Sequence, residues 1–266
     1  MCLRRNKQSE KMMKLRVLGC SGGIGGNLHT TSFLLDNDVL IDAGTGVSEL
    51  SLTELSMIDH IFITHSHLDH IACIPLLIDS VGFMRAQPIT IYALEETIDA
   101  LKQHIFNWKI WPDFSEIPSA QQPFMRYQPI AVGEKIVLQG RTITALPANH
   151  VVPAVGYHFD SGRASLVFSG DTTSNDALWK VVNKINNLRH VIIETAFSNS
   201  ERELAVLSKH LCPSLLVDEL AKFTGNADIF ITHLKPGEME LIMREIDLAT
   251  TRLHPKMLFN NQLFEL

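Results

Sequence analysis

A layered α/β fold is the architecture that this 266-residue chain predicts. Apolar strand-like runs alternate irregularly with stretches of helical periodicity, which suits packed layers better than a closed barrel. The length fits one large domain, and 45% hydrophobic with 20% charged residues is the composition of a chain able to bury a core.

The basic segment 1–13 reads as a flexible leader and 14–266 as a single domain. A short strand over 14–19 runs into Cys20-Ser21-Gly22-Gly23-Ile24-Gly25-Gly26, a loop whose glycines permit positive φ. Residues 31–36 and 38–42 read as a hairpin that turns at Asn37-Asp38. A buried strand over 59–64 precedes a helix that runs from His67 through Leu76, Leu77 and Ile78. Residues 85–141 read as an inserted lid or subdomain, with a strand over 90–92, a helix over 95–106 and a proline-punctuated aromatic stretch. Strands then follow at 142–146, 154–159, 165–169, 191–194 and 228–232, with helices at 176–188, 213–223 and 238–247.

With 23 Lys and Arg against 29 Asp and Glu the net charge is −6, which argues against a protein built to hold a polyanion through its phosphates. Cys2, Cys20, Cys73 and Cys212 lie far apart without a Cys-x-x-Cys pair and read as free thiols. No stretch of about 18 apolar residues occurs, so the chain is expected to be cytosolic with no membrane partner.

The run His65-Ser66-His67-Leu68-Asp69-His70 packs three imidazoles and a carboxylate directly after a buried strand. These are ligand types for zinc, manganese and iron, and a turn leaving a strand can aim alternate side chains at one metal and the next two at a second. His150, Asp171 and His233 each follow a strand as well. Any one of them alone reads as an ordinary hydrogen-bonded residue; their shared placement favours a site.

The His-x-His-x-Asp-His run, the later His150, Ser169-Gly170-Asp171-Thr172 and Thr232-His233 resemble the pattern of the metallo-β-lactamase superfamily. The resemblance spans residues 14–235 and implies a four-layer αββα sandwich with two divalent metals at one edge. Zinc is the first choice, with manganese or iron(II) as alternatives. By that pattern His65, His67 and His150 hold one metal, Asp69, His70 and His233 the other, and Asp171 bridges them.

Within the superfamily, Leu68, Glu194-Thr195-Ala196-Phe197, Ser208-Lys209-His210-Leu211 and Ile231-Thr232-His233-Leu234-Lys235-Pro236 resemble the class II cyclic-nucleotide phosphodiesterases, which are related to ribonuclease Z. The resemblance implies hydrolysis of a 3',5'-cyclic nucleotide (cAMP or cGMP) to the 5'-monophosphate by a metal-bound hydroxide. Asp69 is expected to orient the hydroxide, and His210, held by Glu194, to protonate the leaving oxygen. A ribonuclease Z-like tRNA 3'-endonuclease is the first alternative, although 85–141 carries no net charge for an RNA exosite. An acyl or thioester hydrolase is the second.

Phe106, Trp108, Trp111 and Phe114 either stack on a purine or form a small core or a homodimer contact. Ser21–Gly26 lacks the Gly-Lys-Ser/Thr ending of a P-loop and reads as a tight turn.

Overall fold

The computed structural model describes residues 12–250 and 252–266. Most of the leader expected over 1–13 lies outside the described residues, but Met13 is buried and exchanges backbone hydrogen bonds with Leu266.

The strands are β1 (Lys14–Gly19), β2 (Ser32–Leu35), β3 (Val39–Ile41), β4 (His60–Phe62), β5 (Ile89–Ala93), β6 (Pro118–Ser119), β7 (Gln122–Pro123) and β8 (Met125–Pro129) in the first half. The second half supplies β9 (Lys135–Leu138), β10 (Arg141–Pro147), β11 (Val155–Asp160), β12 (Ser165–Phe168), β13 (Leu188–Glu194), β14 (Asp228–Thr232), β15 (Lys256–Met257) and β16 (Leu263–Glu265). The helices are α1 (Leu52–Ser56), α2 (Leu68–Ile71), α3 (Ile74–Val81), α4 (Glu95–His104), α5 (Asp176–Val182), α6 (Arg202–Leu207), α7 (Pro213–Leu220) and α8 (Met239–Ala249).

Two seven-stranded sheets run in the orders β16-β1-β2-β3-β4-β5-β8 and β15-β14-β13-β12-β11-β10-β9. Each is antiparallel on one side and parallel on the other, the change falling at β3 in the first and β12 in the second. Strand periodicity explains the layers. Phe33, Leu35, Val39 and Ile41 alternate with Leu34 and Leu40: the first set faces the other sheet, and the second faces a cluster shared with α3 and α4. In the second sheet Ile192 and Phe230 face inward, while Val191, Ile193, Ile229 and Ile231 pack on α5, α7 and α8. The result is an αββα sandwich whose central strands, such as β2, β3 and β12, are buried along their whole length because both faces are covered.

Aromatic contacts fill the space between the sheets. Phe33 meets Phe168 edge-on at 4.9 Å, and Phe62 stacks on Tyr92 at 4.4 Å. A polar tie reinforces them: Arg141 on β10 donates to Asp36 (3.0 Å) and, as a fork, to Asp38 (2.6 and 2.7 Å) in the β2–β3 turn. Arg141→Met leaves two largely buried carboxylates unpaired, so it should cost about 3 kcal/mol of stability. Urea unfolding checks this, and a loss under 1 kcal/mol would contradict it.

Several boundaries differ from the sequence expectation. The helix predicted from His67 is broken into α2 and α3 because Ala43 takes over its bonds: Ala43 N–H donates to the His70 carbonyl (2.7 Å) and Cys73 N–H to the Ala43 carbonyl (2.8 Å). The helix expected over 176–188 stops at Val182, where the Asn183 side chain is pinned to the backbone of Lys222 and Thr224, and Leu188 already begins β13. Residues 85–141 supply β5 and β8 to the first sheet and β9 to the second; Phe106 to Phe124, with the β6–β7 ribbon, lies between. The last residues reach both sheets, β15 beside β14 and β16 beside β1. No helix among the described residues is long and apolar enough to cross a membrane.

Candidate metal centre

The ends of five strands meet at one edge of the sandwich. Past β4 come Thr64, His65, His67, Asp69 and His70; past β10, His150; past β12, Asp171; at the end of β13, Glu194; past β14, His233. The ligand atoms of His65, His67 and His150 all lie within 4.8 Å of one another, as do those of Asp69, His70, Asp171 and His233. Asp171 is common ground: its Oδ2 is 3.7 Å from His65 Nε2, 3.3 Å from His70 Nε2 and 3.2 Å from His233 Nε2. Asp69 Oδ2 lies 3.2 Å from His233 Nε2, and His67 Nδ1 lies 3.2 Å from His150 Nε2. All seven residues singled out from the sequence therefore converge.

A buried network sets the imidazole tautomers. Asp42 accepts from Thr64 N (2.7 Å), from Thr64 Oγ1 (2.9 Å) and from His70 Nδ1 (2.7 Å). Because the Thr64 hydroxyl proton goes to Asp42, its oxygen is left to accept from His65 Nδ1 at 3.0 Å. His150 Nδ1 donates to the Lys209 carbonyl at 3.1 Å. In the His65 and His150 rings the other nitrogen, Nε2, keeps its electron pair and faces the cluster, and His70 turns its Nε2 to the same side.

The buried Nε2 atoms of His65 and His70 have no hydrogen-bond partner, an arrangement that costs roughly 1–3 kcal/mol each unless something else takes the lone pair. Nitrogen and carboxylate donors in this density fit divalent cations. Protonation agrees. Burial and the neighbouring His70 charge hold His65 well below the usual imidazole range, and burial lowers His150 to about 4, so both present neutral rings. Burial works against a charge on His70, yet Asp171 and Asp42 lift its pKa well above the usual value; the same two carboxylates would attract a cation. Burial also opposes the charge of Asp171, but His233 and His70 hold it well below the carboxylate range.

His210 packs against this cluster, with ring centroids 4.9 Å from His150 and 5.1 Å from His233. Its Nδ1 donates to Glu194 Oε1 at 2.8 Å, and Glu194 also accepts from Thr172 N and Leu211 N. Burial disfavours the imidazolium, but Glu194 and, secondarily, Asp171 raise His210 to about 8.

The residues that position these side chains were not among those singled out from the sequence. Asp42, at φ 53°, and His233, at φ 63°, both occupy the left-handed region, which costs on the order of 1–3 kcal/mol at a non-glycine residue. Gly22 permits the second of these: a Cβ there would stand 2.5 Å from the His233 carbonyl oxygen and 2.8 Å from its Nδ1. The Gly-rich turn thus seats a histidine. Asp42-Ala43-Gly44 directly after an apolar strand was the available signal for Asp42. Asp42→Asn should weaken metal retention or activity by roughly 10- to 100-fold, since it loosens the orientation of two imidazoles. Competition with a chelator measures it, and wild-type retention and activity would contradict the role.

The aromatic expectation needs correction. Phe106 is 1% exposed and packs with Phe114 and Phe124 in the core beneath α3 and α4, so it offers no face to a purine. Trp111 is partly buried against the same cluster, whereas Trp108 is 60% exposed.

A sandwich with His and Asp donors gathered at its strand ends defines a metal-dependent hydrolase, and the chain belongs to the metallo-β-lactamase superfamily: the profile of the beta-lactamase superfamily domain matches residues 37–253. The chain is similar to the probable 3',5'-cyclic-nucleotide phosphodiesterase of Yersinia pestis, 27% identical over 83% of this chain and 78% of that protein. It is also similar to the ribonuclease Z of Clostridium beijerinckii, 26% identical over 85% of this chain and 77% of that one. Among solved structures, unliganded yeast PDE1 shares the fold with a TM-score of 0.80 at 19% identity, covering 96% of this chain and 99% of its own.

Proposed function

We propose that the protein is a cytosolic phosphodiesterase that opens a 3',5'-cyclic nucleotide to the 5'-monophosphate at a centre for two divalent cations, zinc by preference. His65, His67 and His150 would hold one cation, Asp69, His70 and His233 the other, with Asp171 between them. The observation that carries the reading is the convergence of these donors on Asp171 beside a second, carboxylate-held imidazole, His210. Two cations there would neutralise the phosphoryl oxygens and make hydroxide available near neutral pH.

The chain's own residues do the rest. Asp42, directly and through Thr64, keeps the Nε2 electron pairs of His70 and His65 aimed into the site. Asp69, more exposed than Asp171, orients the attacking water. His210 gives its Nε2 proton to the departing 3'-oxygen while Glu194 balances the imidazolium through Nδ1.

The named relatives include both phosphodiesterases and ribonuclease Z. The zero net charge of 85–141 favours the small substrate. Rates on cyclic AMP, cyclic GMP, pre-tRNA and lactoyl-glutathione separate the readings. The proposal expects cyclic-nucleotide turnover well above the others; robust cleavage of pre-tRNA with no cyclic-nucleotide turnover would replace it by the endonuclease.

A further inference from the structure

Large aliphatic side chains stand in solvent on each of three segments that frame the metal centre. Leu68, between His67 and Asp69, is 64% exposed; Val151, directly after His150, is 49% exposed; Leu207, at the end of α6, is 77% exposed. The segments are tied together. His150 Nε2 is 3.2 Å from His67 Nδ1, and the Lys209 ammonium donates to the His150 carbonyl at 3.1 Å. Leu204, one turn before Leu207, is exposed too, while Ala205 of the same helix is buried. Exposed apolar side chains on segments that also carry the donors of a polar site are placed for ligand contact.

We infer that the nucleobase of the substrate packs on this aliphatic rim of Leu68, Val151 and Leu207. The inference rests on the cyclic-nucleotide reading and adds where the base lies. A flat, uncharged ring suits the rim better than a polynucleotide does. RNA is held mainly through cationic contacts to phosphate, whereas Leu68, Val151 and Leu207 offer only exposed aliphatic surface. Covering the three side chains removes apolar surface from water while the phosphodiester stays over the cluster.

The test compares kcat/KM for cyclic AMP with that for methyl 4-nitrophenyl phosphate, a phosphodiester without a nucleobase. Leu207→Ser should lower the ratio about tenfold, through KM for cyclic AMP, and adding Val151→Ser should lower it further. An unaltered ratio would remove the base from the rim and leave the phosphodiesterase reading standing. Wild-type turnover of the simple diester with none of cyclic AMP would mean that the reading itself has failed. An unaltered ratio together with a shift from dimer to monomer in sedimentation would make the patch a contact between copies and overturn the inference.

Discussion

Asp171→Ala should lower kcat/KM on the order of 10³-fold or more and empty the metal centre at the same time. The side chain is buried, and one of its oxygens faces three imidazole nitrogens at 3.2 to 3.7 Å. Without that carboxylate the two donor clusters lose their shared negative charge, and His65, His70 and His233 face an empty space. Cations that neutralise a phosphoryl group supply several kcal/mol of transition-state stabilisation, and every 1.36 kcal/mol is about tenfold in rate. Asp171→Asn keeps the volume and removes the charge, so it should fail nearly as badly, which separates electrostatics from packing. His67→Ala should lower metal content and activity together as well, because its imidazole belongs to the cluster with His65 and His150. Elemental analysis, activity and thermal unfolding on the same preparations check all three. A folded Asp171→Ala variant that keeps full metal and full rate would contradict the assignment.

His210→Ala should behave differently, retaining metal while losing about 10²- to 10⁴-fold in kcat. In the proposed chemistry the histidine works on the leaving group rather than on a cation, and its anchor is Glu194. The loss should therefore shrink on a diester whose leaving group is already acidic, such as a 4-nitrophenolate, since a stable anion needs little proton assistance. Glu194→Gln should show a smaller version of the same pattern, because the amide still accepts a hydrogen bond but no longer balances the imidazolium. An equal loss on both kinds of substrate would take His210 out of the acid role and leave it as a positioning residue.

The convergence of the seven residues was legible in the sequence because three histidines and an aspartate stand together after one apolar strand, and His150, Asp171 and His233 each follow another. Their supports were not legible. Asp42 lies 28 residues before His70 and reaches it only because β3 and β4 are parallel neighbours. Gly22 meets His233 only because the Ser21 turn bridges to Leu234 across the two sheets. The central strands were readable from their apolar alternation, whereas β8, β9, β15 and β16 were missed. Those strands lie at or next to sheet edges, carry many exposed residues and give little periodic signal. Phe106 misled because an aromatic stretch looks the same in a core as at a ligand site; only burial separates the two.

The most direct measurement is a metal titration of chelator-stripped protein, following activity against equivalents of zinc or manganese added per chain. The account predicts that activity returns only with the metal and reaches its plateau at two equivalents, with Asp171→Ala giving no such return. Fully active protein holding less than half an equivalent of any divalent metal would contradict it.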